Sequence, residues 1–338
     1  MEAYLDRCLM SLIVPDELVS GLEVLVINDG SKDKSSEIAH GYEARYPQTF
    51  RIIDKENGNY GSCINRGLTQ AKGKYIKVLD ADDWFETENF AEFLTLLQEI
   101  NVDCVMSDMR QVDEQGVEHL IYGYSLPKDS VSYLHDVTNR LTNEVLWMHC
   151  VTYRTDNLKK IHYHQTEGIS YTDQEWLFLP MSTCTTIYYF PKIVYNYLVG
   201  RDGQTMNPDV FRKNFWQEIK GVEAMAEEMG NIVESQTDTY NYLFHRLLGR
   251  GVCTYGAFFE NYRMAMWHDE MVKLDNHLRS HTPKVYLEMG RMSNVLRLKN
   301  QGLKAPRSWF FFIALWRKRN FPHSMLLLKI WLWLKSRR

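Results

Sequence analysis

Lys74-Tyr75-Ile76-Lys77-Val78-Leu79-Asp80-Ala81-Asp82-Asp83-Trp84 is the stretch on which the reading of this chain turns. A β-rich apolar run, 75–79, ends in three carboxylates within four positions. An unpaired buried carboxylate is very costly, so the strand must emerge at its C-terminal end into a site that wants negative charge. In open α/β sheets that end is where ligands bind. Asp80 and Asp82 are two apart, so in an extended segment they point the same way and can share one cation. Hard oxygen ligands suit Mg²⁺ or Mn²⁺, ions that commonly also hold substrate phosphates. The same residues fit an acidic turn capping a helix that starts near Glu86. A buried strand before the acids, with Gly73 ahead of it, favours the ligand site.

Working outward, Met1–Leu12 has helical spacing at Tyr4, Leu5, Cys8, Leu9 and Leu12. Leu22–Ile27 is an apolar strand ending in Asn28-Asp29-Gly30, a tight turn, with Ser31 or Asp33 placed to cap the helix that follows. Arg51–Ile53 is a short strand before the polar glycine loop Asn57-Gly58-Asn59-Tyr60-Gly61-Ser62 and a helix from about Cys63. Phe90–Ile100 reads as a helix and Val102–Ser107 as a strand. This alternation predicts a mainly parallel, three-layer α/β sheet with three polar strand ends on one edge. No G-x-G-x-x-G follows the first strand and no P-loop motif occurs, so those nucleotide-binding readings lack support. Further on, Thr186–Phe190 and Ile193–Leu198 read as a final strand pair. Asp173 and Glu175 fall in the first turn of a helix that Ser170 or Thr172 caps, where the helix dipole favours acids.

From Phe211 strand signals stop and helical patterns take over, with Tyr242, Phe244, Tyr255, Phe258, Phe259 and Tyr262 read as packing core. The expected division is residues 1–206, a helical extension 207–305, and a tail 306–338. Residues 284–338 hold thirteen Lys/Arg against one acid, Glu288, a net of +12 that leaves −16 on residues 1–283. The tail carries two apolar runs, Trp309–Trp316 and Met325–Leu334, flanked by basic clusters. That pattern suits attachment to an anionic membrane surface, or a helix covering an apolar face of the helical region. No segment reaches the roughly 18–20 uncharged apolar residues of a membrane span. The six cysteines are widely separated, which argues against a disulfide scaffold or a zinc site of close pairs. Residues 1–12 lack an apolar signal core, so the expected location is the cytoplasm, peripheral on the inner face of the cell membrane.

The ordered set Val24–Asp33, Asn57-Gly58 with Asn65 and Gly67, and Ala71–Asp83 resembles family 2 glycosyltransferases of the GT-A fold over roughly the first two hundred residues. The resemblance implies inverting transfer of a sugar from a nucleotide-diphospho-sugar of UDP or dTDP type to a lipid-linked or saccharide acceptor. Nucleic acid is not an expected partner. It implies a Rossmann-like sheet and, for Asp29, a hydrogen bond from the nucleobase N–H. Asn57 and Gly58 belong to the donor site, and Asp80 and Asp82 act at the metal (Mn²⁺ or Mg²⁺), the diphosphate and the ribose. Asp173 matches the second acid of an acidic pair at a helix start and implies the general base; the first acid is replaced by Thr172. His149 is a candidate metal ligand or a core histidine, and Arg201 a candidate diphosphate contact. Ile64 stands where the family often has arginine. The family also has a central strand just ahead of the residues matching Glu2–Leu5. Two other readings stay open: a non-catalytic membrane-associated protein of GT-A type, and a nucleotidyltransferase on a similar sheet.

Overall fold

The computed structural model describes residues 1–142, 144–201, 208–232, 237–260, 266–291 and 307–317. The chain divides into two compact units. One comprises Met1–Val137 and Leu146–Gln204, the other Thr138–Val145 and Thr205–Arg338. The boundary expected near residue 206 falls outside the described residues.

In the first unit the strands are β1 (Val24–Asn28), β2 (Phe50–Asp54), β3 (Tyr75–Lys77), β4 (Trp84–Phe85), β5 (Cys104–Asp113), β6 (Glu118–Tyr122), β7 (Val131–Tyr133), β8 (Val151–Arg154) and β9 (Thr186–Val199). The helices used below are α1 (Glu2–Met10), α2 (Ser35–Arg45), α3 (Asn59–Gln70), α4 (Thr87–Glu99) and the single turn α5 (Asp173–Trp176). α1 buries Leu5, Cys8 and Leu9, one stripe of a 3.6-residue period. Asp33, one residue ahead of the N-cap Lys34, accepts the Ser35 N–H of the first turn of α2 at 3.1 Å. Phe90 and Phe93 anchor α4 in the core, each burial stabilising by about 2 kcal/mol.

The sheet is less parallel than the alternation implied. β1 and β2 pair in parallel as a separate two-stranded sheet. The seven-stranded sheet runs β3-β8-β5-β9-β4, with β6 added to β5 and β7 to β9. Within it only β5 and β9 are parallel; β3–β8, β5–β8, β4–β9, β5–β6 and β7–β9 are antiparallel. Hydrophobic period reveals a strand but not its direction. The long stretch from β5 to β8 lets the chain return antiparallel between β3 and β5. The expected strand pair at 186–198 is one strand, β9. Pro191 has no N–H for a ladder, and the register with β5 jumps there, from Ser107↔Phe190 to Asp108↔Ile193.

β1 and β3 are each the last strand of their sheet, and no described strand is laddered between them. Leu25, Val26 and Ile27 of β1, Ile76 of β3, and Val78 and Leu79 just after it are half-buried. α1 ties both sheets together instead. Cys8 Sγ donates to the Asp80 carbonyl at 3.6 Å, Ser11 Oγ accepts from Phe85 N at 3.0 Å, and Asp6 accepts from Tyr42 OH on α2 at 2.9 Å.

The second unit is helical in its described residues. Phe215–Gly230, Thr237–Glu260, His268–His281, Pro283–Met289 and Arg307–Arg317 are its main helices. Tyr242, Tyr255, Phe258 and Phe259 are buried as expected, Phe244 is half-buried, and Tyr262 lies outside the described residues. Buried Glu218 pairs with Arg250 and accepts from Thr254 Oγ1 at 2.8 Å. In Arg307–Arg317, Phe312, Ile313 and Trp316 are buried. Arg317 donates to Asp275 at 2.6 Å and lies 3.6 Å over the Tyr286 ring. Those buried residues of the first apolar tail run are therefore used inside this unit. Met325–Leu334 and the basic residues 318–338 lie outside the described residues. Among the described residues no helix is long and apolar enough to cross a membrane.

Candidate active site

The acidic stretch does not stay extended. Asp83 N donates to the Asp80 carbonyl at 3.0 Å, closing a turn over 80–83. Side chains two apart therefore part company, while 80 and 83 converge. Ligand atoms of Asp80, Asp83 and His149 all lie within 4.8 Å of one another. The expected partner Asp82 instead accepts from Arg201 Nε at 2.6 Å. The extended-strand argument pairs Asp80 with Asp82, whereas the turn sets Asp80 beside the third carboxylate of the stretch, Asp83.

Asp83 is 1% exposed. It accepts from Tyr195 OH at 2.6 Å and from Leu198 N at 2.7 Å. Burial first, then the charges of Asp80 and Asp82, hold its carboxyl well above the usual carboxylate range despite those two donors. His149 Nε2 lies 3.3 Å from Asp80 Oδ2, with its ring against Tyr195 and Tyr197 at 4.7 and 5.0 Å. Its Nδ1 is buried without a hydrogen-bond partner. Lys77 of β3 fixes the turn that carries His149 by donating to the His149 carbonyl at 2.6 Å; burial pushes its ammonium down to about 8. Two crowded carboxylates and an imidazole make a donor set that a divalent cation such as Mn²⁺ fits, and its charge would relieve the repulsion at Asp83.

Tyr60, one residue beyond the 57–59 loop, donates to Asp80 Oδ1 at 2.8 Å. Burial, then Asp80, pushes its phenol far up, so it stays a donor. Asp173 is the first residue of α5, and its charge is felt at Tyr60 and at Tyr197 together with those of Asp80 and Asp83. The structure thus brings Asp80, Asp83 and His149 together, with Asp82 beside them in the same turn and paired to Arg201. Thr172, where the resemblance expects an acid, accepts from the buried Gln165 amide at 2.7 Å through Oγ1. Glu175, 2% exposed, reaches back to accept from Thr166 N at 2.8 Å. Burial raises its carboxyl to about 7, so more holds it than the helix dipole alone.

Asp29 is placed differently. Its carboxylate accepts from Lys55 Nζ and Gly58 N on one oxygen, and from Asn57 Nδ2 and Asn59 N on the other. Four donors fill a carboxylate's lone pairs, so Asp29 works here as a cap for the N-terminus of α3, supplied from another strand. A nucleobase N–H can reach it only when one of these donors moves. Asn57 and Gly58 line a cleft of about 470 Å³ with Lys55, Arg66 and His164. Ile64, at the position of the family's arginine, is buried. Tyr60, Asp83 and Gln165 are the contributors that sequence reasoning left without a role of their own.

The architecture matches solved GT-A enzymes. S. aureus TarS 1-349, crystallised with UDP-GlcNAc, superposes with a TM-score of 0.65 over 94% of this chain and 88% of that one, at 18% identity. This likeness establishes the fold, a GT-A glycosyltransferase fold with a helical C-terminal region. Residues 2–162, just under half of the chain, match the model of glycosyl transferase family 2. Among curated relatives, the putative glycosyltransferase EpsH of Bacillus subtilis (strain 168) is 36% identical over 93 residues, 28% of this chain and 26% of EpsH. Chondroitin synthase of Pasteurella multocida (strain Pm70) is 29% identical over 217 residues, 62% of this chain and 21% of the synthase. The chain thus spans about a quarter or less of the length of these relatives.

Proposed function

We propose that this protein transfers a sugar from a nucleotide-diphospho-sugar, UDP- or dTDP-linked, to a hydroxyl of a growing cell-surface polysaccharide or glycolipid, with inversion at the anomeric carbon. The observation that carries the reading is the convergence of Asp80, Asp83 and His149, with Tyr60 donating to Asp80, in a chain whose residues 2–162 match the family 2 model. The synthase and TarS matches are consistent with it, since their names state polysaccharide synthesis and a UDP-sugar complex.

In this reading the acceptor oxygen attacks the anomeric carbon from the face opposite the leaving group. Its bond forms as the bond from that carbon to the diphosphate oxygen breaks, and the diphosphate leaves with the electron pair. Asp173 takes the acceptor proton. Asp80, Asp83 and His149 would hold Mn²⁺ or Mg²⁺, which neutralises charge on the departing diphosphate when bound. Arg201, held at 2.6 Å by Asp82, supplies fixed positive charge beside the same group. Asp29 orders the 57–59 loop against which the nucleotide lies. The basic residues beyond 317 place the enzyme on the cytoplasmic face of the membrane, near a lipid-linked acceptor.

The test is a screen of UDP- and dTDP-sugars for turnover with Mn²⁺ or Mg²⁺, repeated with Asp82→Ala and Asp173→Asn. Turnover by the parent and loss in both variants is expected. Variants that match the parent remove these residues from the chemistry. Transfer of nucleotide instead of sugar replaces the reading altogether.

A further inference from the structure

The helical unit carries a groove that the transfer reaction does not use. It is about 440 Å³ in volume and lies between two helices of that unit. Trp216, Ile219, Lys220 and Glu223 line one wall at helical spacing on Phe215–Gly230. Trp267, Glu270 and Lys273 line the other, on His268–His281 and its N-cap. Ile219 is buried in this wall and Trp216 is half-buried. Trp267 donates its indole N–H to the Arg212 carbonyl at 2.9 Å, so its ring is fixed before anything binds. Next to it Met266 is 68% exposed.

The chemistry of the lining narrows the occupant. Two lysines and two glutamates leave no net charge, and Lys220 pairs with Glu223 at 2.6 Å. A polyanion or an anionic lipid face finds as many repelling groups as attracting ones here. A neutral, hydroxyl-rich ring finds a match. An indole covers its apolar C–H face, carboxylates accept its hydroxyls and ammonium groups donate to ring and hydroxyl oxygens. The volume falls within the usual range for small-ligand sites, about 300–1,000 Å³. We propose that this groove is a binding site for a neutral saccharide, one or two rings of an oligosaccharide. Its use, to hold a growing acceptor chain, rests on the function proposed above; the binding itself does not.

The probes are neutral tetrasaccharides of N-acetylglucosamine and of glucose, titrated into the full chain without donor or metal. Saturation-transfer NMR reports the contact and intrinsic tryptophan fluorescence the affinity. We expect saturable binding by at least one probe, weakened about tenfold in Trp216→Ala, the loss of one stacked ring. Trp216→Phe should restore much of it, and Glu223→Gln with Glu270→Gln should weaken it with the indoles in place. Thermal melts check that each variant is folded. No binding by either probe at millimolar concentration overturns the site, as does binding indifferent to Trp216→Ala. A fluorescence response to anionic vesicles that Trp216→Ala abolishes, with none to saccharides, also overturns it. Donor hydrolysis is followed in parallel, so failure of the transferase reading and failure of the groove are seen separately.

Discussion

Replacing Glu175 by glutamine should make the protein more stable near neutral pH, and the size of the gain follows from its surroundings. Glu175 is 2% exposed, one oxygen accepts from Thr166 N, and the other has no partner. Burial lifts its carboxyl from 4.5 to about 7, with a smaller push from Asp173. At about 1.4 kcal/mol per pH unit, that interval corresponds to about 3 kcal/mol. The sign follows from linkage. Below pH 4.5 the carboxyl is protonated folded or unfolded and contributes nothing to pH dependence. Between 4.5 and about 7 the unfolded chain releases this proton while the folded chain keeps it, so stability falls as pH rises. Above about 7 the loss is complete and flat. Glutamine keeps an oxygen for Thr166 N and does not ionise. Urea unfolding at pH 4.5, 5.5, 6.5 and 7.5 should show the parent losing up to about 3 kcal/mol relative to Glu175→Gln across this window. Parallel pH profiles for the two proteins would refute the reasoning, because they would mean that Glu175 titrates normally in the folded state.

Other outcomes follow from the same geometry. Tyr60→Phe removes the donor to Asp80 Oδ1 and should cost about 1 kcal/mol in denaturant unfolding; no change would mean that the bond is not formed in solution. Asp29→Ala takes the carboxylate from four donors in the 55–59 loop. It should destabilise the protein by about 2 kcal/mol as a lost helix cap and speed amide exchange at Gly58 and Asn59. Exchange at parental rates would contradict its role as that cap. Arg317→Ala leaves half-buried Asp275, beside Tyr255 and Tyr286, without its cation. It should destabilise the helical unit by about 3 kcal/mol, whereas an unchanged melt would show that the Arg307–Arg317 helix does not dock there. Vesicle flotation with and without residues 318–338 tests the membrane proposal, and equal flotation of both forms would contradict it.

The alternation of strands and helices was readable because hydrophobic period is local. α1, β1, α4 and the helices after Phe215 follow from residue spacing alone. Strand direction was not readable, because it depends on how the long 114–150 stretch returns β8 between β3 and β5. The site was half legible for the same reason. Asp80 and His149 do meet, but pairing Asp80 with Asp82 assumed an extended backbone where a turn forms. For Asp29 the resemblance implied a nucleobase contact, and the residue pattern carried no sign of a structural role. That it caps α3 depends on Gly58 and Asn59, about thirty residues further on. Buried polar partners such as Gln165 with Thr172, or Glu175 with Thr166, leave no periodic trace in sequence.

The central claim is that Asp80, Asp83 and His149 form one divalent-cation site serving a nucleotide diphosphate. Titration calorimetry of UDP into the full chain with and without Mn²⁺, for the parent and for Asp83→Asn, tests it most directly. Glutamine-like amides cannot replace a charged ligand, and outer-shell partners of metal sites alone are worth about 10–100-fold in affinity. The account therefore predicts Mn²⁺-dependent UDP binding in the parent, weakened at least about 100-fold in Asp83→Asn while the variant remains folded. UDP binding that is indifferent to Mn²⁺, or equal in the two proteins, would contradict it.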